Sequence, residues 1–219
     1  MLIGLTGATG AGKDSTALVL AAAGWRSIAL ADALRVEITA AWHIDQRLLT
    51  DRAHKEQPMP QLCAGNTQND AWLRWAESAG HSLAQPRSPR WVMQQWGSFR
   101  READALHWVR QVAYWVQYQS EHGHKNLVIT DVRQANEAEA LIGLGGYIVR
   151  VHRAGMAPLP ADTADHESET HPQLVADADI HNGGDFADLA HETWRVVRAL
   201  AVARRPAHQV PAGTDGGAP

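Results

Sequence analysis

The chain has 219 residues, 45% of them hydrophobic, with a formal net charge of −4. That suits one α/β domain, with or without an inserted lobe, and the acidic balance speaks against a protein that lives on duplex DNA. A single cysteine, Cys63, excludes an intramolecular disulfide and a cysteine-built zinc site, and no apolar run approaches the roughly 18 residues of a membrane span.

Leu2 to Thr6 is a short apolar run that ends at glycine and reads as a buried strand. Lys13 to Ala23 reads as the next helix, with Ala17, Leu18, Leu20 and Ala21 on its apolar face and Gly24 as its stop. Trp25 to Leu30 is a second strand, and Asp32 to Trp42 a helix with Leu34, Ile38 and Ala41 at helical spacing. Residues 43–88 carry scattered Pro and Gly, with a short helix near Asp70 to Ala79, and read as mobile or inserted material. Pro89 opens another helix at its first turn, and a longer one is expected from about Arg100 to Gln119, with Leu106, Val109, Val112, Ala113 and Val116 as its apolar face. Strands follow at Leu127 to Thr130, Tyr147 to His152 and Ala178 to His181, and helices at Asn136 to Leu144 and Asp185 to Ala203. Polar, proline-punctuated residues at 153–176 are a candidate lid, and 206–219 a disordered tail. Strands that alternate with helices imply a parallel, helix-covered sheet.

Gly7-Ala8-Thr9-Gly10-Ala11-Gly12-Lys13 fits a phosphate-binding loop through its lysine, and it lies between a predicted strand and a predicted helix, as that motif requires. Backbone N–H groups and the helix N-terminus would cradle phosphate oxygens, and Lys13 would reach the outer phosphates. Asp14 stands where a Mg²⁺-touching Ser or Thr is usual, and Ser15 could supply that hydroxyl one residue later. Asp14 has two readings: a carboxylate that favours the helix dipole, or an acid acting at the metal or the acceptor hydroxyl.

Leu127 to Thr130 followed by Asp131 is a buried strand that delivers an acid, the arrangement that brings a carboxylate to a nucleotide-bound metal. Arg133 lies two residues on, and Glu137 is at i+4 from it. The plain alternative is that Asp131 caps a helix and Arg133–Glu137 is a surface pair. Arg90 and Gln94 share a helix face, followed by Gly97, Ser98, Arg100, Arg101 and Trp108; Arg can clamp a phosphate bidentately. Trp108 reads equally as core or as a base-stacking platform. The nine tryptophans form no motif, and the twelve histidines are scattered; His166 and His171 lack the further ligands that zinc requires.

Taken in order, GLTGATGAGKDS (4–15), ALADALR (29–35), SPRWVMQQWGSFRR (88–101), HW (107–108), VITDVRQANEAEAL (128–141), GGYIVRVHR (145–153), DHESE (165–169) and ADIHN (178–182) resemble the bacteriophage deoxynucleoside monophosphate kinases. Ser15 and Ser98 stand where that family more often has Thr, and 43–88 does not match. The resemblance implies a P-loop kinase fold: three α/β/α layers, a central parallel sheet of about five strands, a helical acceptor-binding region at about 32–121 and a lid at about 153–176, in one domain over 1–205. It implies phosphoryl transfer from ATP with Mg²⁺ to a deoxynucleoside 5′-monophosphate in the cytoplasm, the host's if the chain is phage-encoded. By position, Gly7 to Ser15 and Arg153 would bind ATP; Asp14, Ser15 and Asp131 would hold Mg²⁺, partly through water. Asp32, Arg90, Gln94, Gly97, Ser98, Trp108, Arg133 and Glu137 would bind the acceptor, and Lys13, Asp14, Arg90, Asp131 and Arg133 would be catalytic. Nucleic acid and membrane are not expected partners; a homodimer stays open. Competing readings are a related kinase for dephospho-coenzyme A or for a hydroxymethylated base in DNA, and a nucleotide-binding protein without transfer activity.

Overall fold

The computed structural model describes residues 1–153 and 174–203. The elements are β1 (Leu2–Thr6), α1 (Lys13–Ala21), β2 (Arg26–Ile28), α2 (Leu30–Trp42), α3 (Arg47–Thr50), two 3₁₀ turns (Arg52–His54, Pro60–Leu62), α4 (Asp70–Ser78), α5 (Pro89–Ala103), α6 (His107–Glu121), β3 (Leu127–Ile129), α7 (Ala135–Gly143), β4 (Tyr147–His152), β5 (Ala178–His181) and α8 (Phe186–Ala203). They form two compact units, one of residues 1–28 and 113–219, the other of 29–112.

The first unit is built on a five-stranded sheet in the order β2-β3-β1-β4-β5, with every pair parallel. This is the α/β architecture that alternating strands and helices imply. β1 is buried along its whole length, as a central parallel strand covered on both faces must be. Ile3 and Leu5 join Ala17 and Leu20 of α1 and Leu189, Val196 and Leu200 of α8 in one core. A side chain at Gly4, one residue out of phase, would point the other way, at Leu141 of α7 and Val132. The sheet is therefore covered by α1 and α8 on one face and by α7 on the other. α1 buries half of the predicted face: Ala17 and Leu20 turn inward, joined by Thr16 and Val19, while Leu18 is 63% exposed and Ala21 is exposed as well.

The second unit is helical, and tryptophan organises it. Trp72, fully buried, lies 5.2 to 5.4 Å from the rings of Trp42 and Trp96, with Trp75 at 5.1 Å and Phe99 at 5.6 Å. The indole N–H of Trp42 donates to the Cys63 carbonyl and that of Trp72 to the Ala64 carbonyl, which satisfies the one polar atom of each buried ring. Of the two readings of 43–88, mobile or inserted, the mobile one is thus corrected: this stretch contributes Leu62, Ala64, Trp72 and Ala76 to the core. The helix expected over 100–119 is also corrected. The chain breaks at Asp104, whose backbone is extended (φ −162°, ψ 101°). Its side chain accepts from Leu106 N at 3.1 Å and its carbonyl from His107 N at 3.0 Å, so the aspartate closes α5 and starts α6.

No helix among the described residues is long and apolar enough to cross a membrane.

Candidate active site

Every strand of a parallel sheet runs the same way, so the loops after β1, β3, β4 and β5 emerge at one edge, where open α/β sheets bind ligands. β1 is flanked by β3 and β4. The β1–β3 register pairs Gly4 with Ile129 and continues with Val132 N donating to the Leu5 carbonyl at 3.0 Å. Asp131 therefore comes abreast of the end of β1, beside the glycine loop. Arg153 follows β4 directly and is exposed.

The loop itself is held by steric necessity. Gly7 has φ +128°, and a Cβ there would meet the Val151 carbonyl oxygen at 2.3 Å. Gly12 has φ +107°, with its missing Cβ blocked by the Asn182 amide nitrogen at 2.3 Å. Both demand glycine. Gly12 is the N-cap of α1 and brings no side chain to cap it, so the helix opens with backbone N–H groups and positive potential, the standard setting for an anion. Lys13 Nζ donates to the Gly7 carbonyl at 2.7 Å and the Ala8 carbonyl at 2.9 Å, which suspends its charge over the start of the loop. Asp14 is exposed in the first turn of α1, Ser15 is half-buried, and Thr16 is fully buried with its hydroxyl on the Gly12 carbonyl at 3.1 Å. Asp14, Ser15 and Asp131 offer oxygen atoms only, a hard donor set that suits Mg²⁺.

Asn182 carries no role in the sequence reading. It follows β5, and its amide donates to the Ala11 carbonyl at 2.9 Å, so the far end of the sheet clamps the back of the loop. Its own N–H is fixed on the His152 carbonyl at 2.7 Å.

Glu137 is 7% exposed and accepts the N–H groups of Arg133 (2.8 Å) and Gln134 (3.0 Å) on one carboxylate oxygen. It closes the first turn of α7 and shapes the segment that presents Arg133.

In the helical unit, Asp32 accepts from Ala29 N at 3.0 Å and pairs with Arg35 at 2.6 Å, so it caps α2. Arg90 is mostly covered and pairs through Nε with Glu56, while its N–H donates to the Lys55 carbonyl; both partners come from the stretch that the motifs ignore. Gln94 lies one turn along α5 from Arg90, half-buried. Gly97 is buried under Trp108, whose indole N–H reaches the Gly97 carbonyl at 3.4 Å. Trp108 is only 5% exposed, so of its two readings the burial favours the core one. Ser98 accepts from Arg101 at 3.3 Å. Glu37, also without a sequence signal, accepts from Trp96 (2.9 Å) and Arg100 (2.7 Å) on one oxygen and meets His107 at 2.6 Å on the other. Burial pushes its carboxyl up, but the bonds from Trp96, His107 and Arg100 outweigh that and hold it below its ordinary value. Of the candidate lid at 153–176, residues 154–173, with the 165–169 segment, lie outside the described residues, as does the tail at 206–219.

No protein-family model matches the chain, and no curated protein matches it in sequence. Solved structures do. TT1252 from Thermus thermophilus is similar at a TM-score of 0.50 and 16% identity, over 91% of this chain and 96% of that one. Dephospho-CoA kinase from Campylobacter jejuni is similar at a TM-score of 0.48 and 13% identity, over 92% of this chain and 98% of that one. At 16% identity the likeness to TT1252 is one of fold.

Proposed function

We propose that the protein is an ATP-dependent phosphotransferase acting on a deoxynucleoside 5′-monophosphate, yielding the diphosphate and ADP. The observation that carries the donor half is the loop from Gly7 to Lys13: a strained glycine backbone, an uncapped helix start and a lysine over its mouth, with Asp131 delivered by the neighbouring strand. In this reading the loop amides and Lys13 hold and neutralise the donor phosphates, which is most of what phosphoryl transfer asks of a protein. Asp14, Ser15 and Asp131 would hold Mg²⁺, which supplies charge neutralisation for the polyphosphate. Arg153 serves ATP. Arg90, Gln94 and Ser98 of the helical unit serve the acceptor and Arg133 of the sheet unit serves transfer, while Asp32, Gly97, Trp108 and Glu137 act by shaping the segments on which those residues stand.

The acceptor is supported by the ordered resemblance described above. An ADP-release assay across dAMP, dGMP, dCMP, dTMP, the ribonucleotides, dephospho-coenzyme A and hydroxymethylated DNA tests it: turnover is expected on one or more deoxynucleoside monophosphates. Turnover confined to dephospho-coenzyme A or DNA moves the protein to another acceptor class. Lys13→Ala should lower transfer by roughly 10²–10³-fold with the fold intact, as loss of one charge-stabilising donor does elsewhere; near-normal turnover would refute the role of the loop.

A further inference from the structure

A second concave site lies in the sheet unit, away from the loop edge. Arg26 and Ser27 open the edge strand β2, and His124 precedes β3, so these residues sit where strands begin; the glycine loop sits where they end. Together with Trp115 and Tyr118 of α6 and His122 just after it, they line a cleft of about 370 Å³, within the range of small-molecule sites.

Its chemistry is specific. Arg26 N donates to the Asn126 carbonyl and the Ile28 carbonyl accepts from Thr130 N. Residues 26 and 28 thus face β3, and strand alternation turns the N–H and C=O of Ser27 outward, at the open edge of the sheet. That places one backbone donor beside one backbone acceptor in the cleft wall, the pattern that pairs with the edge of a heterocyclic base. Trp115 and the 45%-exposed Tyr118 supply ring faces, and Tyr118 stacks on His122 with centroids 4.1 Å apart. The His122 Nδ1–H donates to the Tyr118 carbonyl at 2.7 Å. Arg26 Nε donates to His124 Nε2 at 3.3 Å, which fixes the guanidinium at the cleft wall and makes the imidazole the acceptor. Among the described residues, no carboxylate lines the cleft, so its fixed charge is the cation of Arg26. A second copy of this chain fits poorly, since a twofold contact across this face sets Arg26 against Arg26.

We propose that this cleft is a second nucleotide-type binding site, for a small planar base carrying a phosphate, separate from the glycine loop. The base stacks on Trp115 or Tyr118 and meets the Ser27 edge, and the phosphate pairs with Arg26.

The test is a two-dimensional NMR titration of the ¹⁵N-labelled full chain with dAMP, deoxyadenosine and inorganic phosphate. With dAMP, the Ser27 amide and the Trp115 indole N–H should shift and saturate. Deoxyadenosine and phosphate should each bind there about tenfold more weakly, each having lost one half of the contact. Arg26→Ala, at an exposed strand-edge position, should weaken dAMP at the cleft about tenfold and leave the response of residues 7–13 to ADP as in the parent chain; Tyr118→Ala, also exposed, is the second variant. Silence at Ser27 and Trp115 in millimolar dAMP overturns the proposal. So do shifts unchanged in both variants, equal binding of phosphate alone, or shifts that follow protein concentration together with a dimer in sedimentation. Because ADP titrated into the same labelled chain reads the loop separately, failure of residues 7–13 to respond to ADP counts against the phosphotransferase reading and not against the cleft.

Discussion

Replacing Asn182 with alanine removes the bond that ties the end of β5 to the back of the glycine loop. The amide donates to the Ala11 carbonyl at 2.9 Å and packs against Gly12, and Ala11 itself is 1% exposed. A buried acceptor that loses its partner costs about 1–3 kcal/mol; Asn182 is half-buried, so water can reach part of the gap and about 1–2 kcal/mol is expected. For a domain of this size that lowers Tm by roughly 2–8 °C. If the same energy is lost from the geometry of the proposed phosphate loop, ADP affinity falls about five- to thirtyfold. Asn182→Asp should be worse than alanine for ADP. It sets a carboxylate oxygen against the Ala11 carbonyl and adds negative charge beside the proposed phosphate loop, and added salt should recover part of the loss. Calorimetric titration with ADP and differential scanning of the three proteins decide it. Parental Tm and ADP affinity in the aspartate variant would refute the clamp.

Glu37→Gln removes the charge that Arg100 and Trp96 share. It should destabilise the protein at neutral pH by about 1–3 kcal/mol, measured by urea unfolding. The Glu37 carboxyl is held below its ordinary value of 4.5, so its stabilisation is present above pH 4.5 and is lost as pH falls through the lower folded-state value; the variant should show a flatter acid limb, and an identical limb would contradict the assignment. Trp72→Ala empties the centre of the aromatic core and should cost about 3–5 kcal/mol, visible as a fall in the urea midpoint; a loss under about 1 kcal/mol would mean the cluster does not organise its unit. Arg90→Ala should raise the acceptor KM roughly tenfold through loss of a phosphate clamp and leave the ATP KM in place; a change confined to ATP would reverse the assignment of donor and acceptor residues.

The sheet was legible because each strand carries its own signal. Tyr147 to His152 and Ala178 to His181 are strands over the residues that their apolar runs mark, and the glycines at 7 and 12 announce a backbone that other residues cannot adopt. Finer features failed where a local pattern had two solutions. Leu18 suits the apolar face of α1 by composition, yet the helix packs Ala17 and Leu20 into the sheet core and buries Thr16 and Val19 beside them, and that rotation leaves Leu18 in solvent. The apolar run through 100–119 concealed the break at Asp104, because an aspartate reads as a polar position in a helix until its side chain is seen to accept from Leu106 N. Tryptophans spread from 42 to 96 look unrelated until α2, α4 and α5 bring their rings within 5.4 Å.

The residues that escaped the sequence share one property. Glu37 meets its partners 59, 63 and 70 positions away, and Asn182 meets Ala11 171 positions away. Spacing arguments reach only a turn or two of helix or the width of one motif, so they find residues that act on a ligand from one segment. They miss residues that hold one segment against another. Arg90 shows both sides of this limit. Its spacing to Gln94 marks it as a ligand-facing position, while Glu56 and Lys55, which hold it there, lie in the stretch without a motif. A loop-bearing sheet and an arginine-bearing helix can therefore be read from local pattern, but the rigidity that makes either useful is supplied by Asn182, Glu37 and Glu56. Their removal should weaken function at sites where they touch no ligand.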